Sequence, residues 1–109
     1  MSFVFILNEK HIMRIGDICI FKTNFPEADF WLQRKGSEKS VGTPTKEYSD
    51  ENIGVKVMDK FEDRVDAGYL YYYFKYLHQQ GAFEPISHGT LALKNIRISD
   101  IKSIPISFQ

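Results

Sequence analysis

Two stretches of the chain carry side chains able to hold phosphate and reach base edges. Residues 34–46, RKGSEKSVGTPTK, set Arg34, Lys35, Lys39 and Lys46 against Glu38 alone, and residues 90–102 set Lys94, Arg97 and Lys102 against Asp100. Guanidinium and ammonium groups neutralise phosphates, and the same donors read bases in a groove. Gly36, Ser37, Ser40, Gly42 and Thr43 are interleaved in the first stretch, where small residues let a backbone approach a phosphate closely. His88 and Thr90 border the second stretch and add one donor each. Taken singly, each of these side chains is ordinary solvated surface. As a set they predict a local contact patch for nucleic acid, on condition that the two stretches converge in space.

Other chemistries find less support. His88-Gly89-Thr90 puts an imidazole near a hydroxyl, yet no serine-hydrolase set accompanies it, and His11, His78 and His88 have no metal-ligand spacing. Each histidine reads as a satisfied structural or surface group. A nuclease centre needs clustered carboxylates with a nearby lysine around a hard cation. Asp29, Glu47, Asp50, Glu51 and Lys56 supply the types in an order that fits no such pattern. Gly42-Thr43-Pro44-Thr45-Lys46 lacks the second glycine and the flanking elements of a phosphate loop. No enzyme and no cofactor is therefore expected. Trp31 and the tyrosines Tyr69, Tyr71, Tyr72, Tyr73 and Tyr76 are read as mostly core; exposed together, they would instead mark a protein interface or a homodimer.

The elements that must position these residues come from patterning. With 43% hydrophobic and 15% aromatic residues the chain can fill a core, and 109 residues suit one domain spanning 1–109. Fourteen basic residues balance fourteen acidic ones, so any attraction to nucleic acid must be local. Cys19, the lone cysteine, sits in an apolar run and reads as a buried thiol, which fits a reducing, cytoplasmic setting. Residues 3–7 are apolar but too short and too poorly flanked for a signal peptide or membrane span, and they suggest an edge strand within 1–12; Met13 is an alternative start.

Residues 3–7 and 12–22 predict a hairpin, with a bulge or turn at Gly16-Asp17, and 29–32 an aromatic strand. Residues 34–46 read as a long exposed loop or loosely held hairpin, and 49–52 as a possible helical turn before a strand over 55–58. The spacing of Leu70, Phe74 and Leu77 predicts a helix over about 67–80, capped by Asp66 and ended by Gly81, with Lys75, Gln79 and Tyr72 outward. Its four early tyrosines suggest cover on more than one side. Residues 91–98 predict an extended segment, Ser99 a cap for a short turn over 100–103, and 106–108 a last strand. The fold class expected is α+β, a small mixed or antiparallel β domain with one main helix and a short C-terminal helical turn.

The carboxy-terminal half resembles the closing half of the target-recognition domain of type I restriction-modification specificity subunits. The resemblance rests on Tyr69-Leu70-Tyr71-Tyr72, His88-Gly89-Thr90, Asn95-Ile96-Arg97-Ile98-Ser99-Asp100-Ile101 and Ile104-Pro105-Ile106 in that order, with Ile15-Gly16-Asp17-Ile18 similar to the family's opening strand. It implies a non-catalytic module that reads duplex DNA through residues 34–46 and 88–97. It also implies a methyltransferase-type subunit as a further partner, although no long heptad-bearing helix follows Phe108. The rival expectation is a protein-interaction or regulatory module with the same fold, docking on such a component or on itself.

Overall fold

Short, mostly apolar strands build the central sheet. In β2 (Cys19–Lys22) the side chains of Cys19 and Phe21 are buried while those of Ile20 and Lys22 face out. Opposite lies β6 (Ile53–Val57), whose Val55 and Val57 pair with Phe21 and Cys19. On its other edge β6 meets β3 (Phe30–Leu32), and β3 in turn pairs with β5 (Pro44–Thr45), giving the antiparallel order β2-β6-β3-β5. All three residues of β3 are buried because its outer face is covered as well. Trp31, opposite Gly54, donates its indole N–H to the Phe25 carbonyl at 3.0 Å and meets the Tyr48 ring edge-on at 5.8 Å.

The computed structural model describes residues 13–106. Its main helix, α1 (Ala67–Gln79), lays Leu70 and Phe74 on the inner face of the four-stranded sheet, both fully buried. The Phe74 ring centroid lies 5.5 Å from Phe30, 6.5 Å from Phe21 and 6.3 Å from Phe83, so one aromatic side chain joins sheet, helix and following loop. Asp66 caps the helix by accepting the Tyr69 amide at 2.8 Å. Gly81, at φ +76°, ends it: its amide reaches the His78 carbonyl while Ala82 reaches back to Leu77, each at 3.0 Å.

Two smaller sheets flank the core. β4 (Lys35–Gly36), β7 (His88–Gly89) and β8 (Lys94–Asn95) form the antiparallel order β4-β8-β7, while β1 (Met13–Arg14) pairs with β9 (Pro105–Ile106). Between β1 and β2 a 3-10 turn, Ile15–Asp17, packs against the short helix α2 (Ile98–Lys102). Gly16 is needed there for space, since a Cβ would lie 2.7 Å from that of Lys102, and Asp17 accepts the Arg14 amide at 2.9 Å. Burial pushes the Cys19 thiol up to about 12, with the Asp29 carboxylate adding to the rise.

The α+β class, the helix with its two caps and the turn at Gly16-Asp17 all match the sequence reading. Several expectations are corrected. Residues 34–46 are no long exposed loop: β4 and β5 pair on either side, and Val41 between them is 1% exposed. Residues 49–52 make a tight turn in which Ser49 Oγ accepts the Glu51 amide, not a helical one. The extended segment over 91–98 contracts to β8, and α2 begins at Ile98 behind Arg97, so Ser99 lies inside the helix and does not cap it. Tyr69, Tyr72 and Tyr76 are 50%, 63% and 55% exposed, so α1 is covered on one side and the tyrosines are not mostly core. The hairpin with residues 3–7 and the end of the strand over 106–108 lie outside the described residues.

Candidate nucleic-acid interface

The three-stranded sheet joins the two basic stretches. Lys35 pairs with Asn95 and Gly36 with Lys94; across β8, His88 pairs with Asn95 and Gly89 with Lys94. The pairing extends at both ends of β4, where Ile96 donates to the Arg34 carbonyl at 3.1 Å and Glu38 to the Leu91 carbonyl at 2.9 Å. Residues directly opposite in an antiparallel ladder share a face. Lys35, Asn95 and His88 therefore stand on one face, and Lys94 stands on the other between two glycines.

Polar side chains hold the turn beyond β4 in shape. Gln33 Nε2 donates to the Lys35 carbonyl at 2.8 Å and to Ser40 Oγ at 3.1 Å, Ser37 donates its amide to Ser40 Oγ at 2.8 Å, and Thr43 Oγ1 donates to the Ser40 carbonyl at 2.6 Å. From α1, His78 Nε2 lies 2.7 Å from the Lys39 carbonyl and 3.2 Å from Thr43 Oγ1, so with its proton on Nε2 it ties the turn to the helix. Gly42, at φ +86°, lies against the Phe83 ring, which leaves no room for a Cβ. The turn is thus fixed from the sheet, the helix and the core together.

The cations are not all equally disposed. Lys35 and Arg97 are exposed and Lys94 is half-buried. Lys39 lies 3.8 Å from Glu84 but remains 85% exposed, a pair weak enough for a stronger anion to displace. Half-buried Arg34 uses Nε to donate to the Glu51 carbonyl at 3.0 Å, so one of its donors is already spent on the scaffold. Lys46 lies apart from this group. Its ammonium sits 4.8 Å from the centre of the Tyr71 ring of α1, and the Lys75 ammonium lies 5.5 Å from the same ring.

His88 Nε2 is 3.0 Å from Asp100 Oδ2, which links β7 to α2, and Asn95 Nδ2 donates to the His88 carbonyl at 3.3 Å. Thr90 Oγ1 accepts the Leu93 amide at 3.2 Å. His88 and Thr90 thus act in the sheet's own architecture. Among the described residues no group of three or more His, Cys, Asp or Glu side chains is arranged to hold a metal ion, and no helix is long and apolar enough to cross a membrane.

The sequence reading missed Gln33 and Asn95, whose amide groups order the sheet, and two exposed leucines, Leu91 and Leu93, in the β7–β8 turn. Both leucines fall in the segment 91–98 that the sequence reading takes as extended, and its pattern does not tell a strand from an exposed turn. A second surface lies on α1, where Tyr73 stacks between Tyr69 and Tyr76 at 6.3 and 6.5 Å; burial first, then those two neighbours, raises its phenol above the usual range.

No family model matches the chain, and no curated protein does. The crystal structure of the S subunit of a type I restriction-modification system from M. genitalium has the same fold over 87% of this chain, with a TM-score of 0.62 at 19% identity. The match takes in 33% of that protein, so this chain spans about a third of its length. At such low identity the likeness is one of fold, and it is the fold that the resemblance in the sequence implied.

Proposed function

We propose that the chain is a non-catalytic module that recognises a short stretch of duplex DNA, in the manner of a type I restriction-modification recognition domain. The observation that carries this reading is the β4-β8-β7 sheet, which pairs the two basic stretches side by side, with Lys35 on one face, Lys94 on the other, and Lys39 and Arg97 in the flanking segments. In this proposal Lys35, Lys39 and Arg97 hold phosphates. Arg34 and Lys94 reach base edges with their remaining donors, His88 and Thr90 shape the rim, and Lys46 makes an outlying backbone contact. A methyltransferase-type subunit is the further partner that the S-subunit fold suggests.

The test is a titration of a labelled duplex pool with randomised cores at two salt concentrations. Affinity is expected to fall as salt rises. The double reversal Lys35→Glu/Arg97→Glu is expected to weaken binding at least tenfold and to lower the salt slope by about 2, roughly 0.9 for each phosphate that the variant no longer neutralises. Equal affinity for the variant and the native protein would sink the proposal. A protein-interaction role has one observation in its favour, the exposed tyrosines of α1. It becomes the better account if no duplex binds and Tyr72→Ser/Tyr76→Ser dissolves a self-associated species in light scattering.

A further inference from the structure

The turn between β7 and β8, Thr90-Leu91-Ala92-Leu93, carries no charge. Leu91 is 68% and Leu93 77% exposed, more than any other large apolar side chain among the described residues. Both forgo the burial that stabilises a leucine elsewhere in the protein. Their position is nonetheless fixed. The Leu93 amide donates to both the carbonyl and Oγ1 of Thr90 at 3.2 Å, closing the turn, and the Leu91 carbonyl accepts from Glu38 at 2.9 Å. The backbone of the tip is therefore tied to itself and to the neighbouring turn while the leucine side chains project.

Two cations flank this apolar tip. Lys94 follows it directly and Lys39 adjoins Glu38, whose amide holds the Leu91 carbonyl, while Lys35 and Arg97 lie further along the paired strands. An apolar point flanked by positive charge complements a ligand that is anionic outside and apolar inside, which is the layout of stacked bases between two phosphate backbones. We propose that Leu91 and Leu93 act as a wedge that enters between neighbouring base pairs, so that the bound duplex is kinked while the flanking cations hold its phosphates. The inference rests on the DNA-binding reading above and adds a deformation of the DNA to it. A rigid tip suits the role, because a wedge that yields cannot offset the cost of unstacking.

The experiment uses the full chain and a short duplex enriched from the randomised pool, carrying a donor dye at one end and an acceptor at the other. Energy transfer is expected to rise when the native protein binds. Leu91→Ser/Leu93→Ser is expected to bind about tenfold more weakly, with unchanged salt dependence and no rise in transfer. Leu91→Met/Leu93→Met should restore the rise, which separates wedging from misfolding. A duplex bound tightly but left straight by the native protein would overturn the wedge and leave DNA recognition standing, as would a serine variant that still bends it. Failure of every protein to bind would remove both. Serine substitutions that break up a self-associated native protein while leaving DNA binding intact would assign the leucines to contact between copies instead.

Discussion

The sheet under α1 and the sheet that gathers the basic residues are built by different forces. In β2-β6-β3-β5 the side chains do the work: Phe21, Phe30, Leu32, Ile53 and Val55 are buried against Leu70 and Phe74. In β4-β8-β7 each strand is two residues long and none of its six residues is buried, so the order comes from backbone ladders and from Gln33, Ser40, Thr90 and Asn95. Apolar burial contributes far more per residue than solvated hydrogen bonds do. Stability is thereby concentrated in the larger sheet, and residues on the small sheet, where recognition is proposed, can change with little effect on folding.

The sharpest way to break that division is at the core. Phe74→Ala is expected to cost about 3–5 kcal/mol in chemical denaturation, because it leaves a void among Phe21, Phe30 and Phe83. A cost below about 1 kcal/mol would mean that the helix does not govern stability. The same core shields Cys19, whose thiol is pushed up to about 12. Labelling by a thiol reagent should proceed only through unfolding, with a rate that tracks denaturant; rapid labelling of the native protein would contradict the burial.

Gly42→Ala acts where the two regions meet, forcing a Cβ toward Phe83 at a positive φ. It should cost about 1–3 kcal/mol and loosen the turn beyond β4, visible as faster amide exchange at Ser40 and Val41. Asp66→Ala removes only the helix cap and should cost about 1 kcal/mol, with no change in that exchange. Smallest of all, Lys94→Gln should leave stability within about 0.5 kcal/mol of the native protein. A larger loss in thermal melting would show that the small sheet also contributes to the fold.

Legibility follows the same division. Helix α1 is readable because Leu70, Phe74 and Leu77 recur at helical spacing between a cap and a stop. Strand β2 is readable because it lies in the apolar run Ile18-Cys19-Ile20-Phe21. The two-residue strands β4, β7 and β8 carry no period, since a ladder of that length is defined by its partner and not by its own side chains. Their meeting is therefore a condition laid on the sequence reading and not a result of it. The tyrosines mislead for a related reason: spacing gives the face of a helix, while its cover depends on what packs there, and over Tyr69, Tyr72 and Tyr76 nothing in the described chain does so fully.

The β1–β9 ladder sets Met13 opposite Ile106 and Arg14 opposite Pro105. Because these strands are antiparallel neighbours, the polypeptide enters and leaves the described unit at one spot, like the two wires of a plug. Such a unit tolerates circular permutation: a short flexible linker from 106 to 13, with new ends opened at the exposed Glu62-Asp63, should preserve all three sheets.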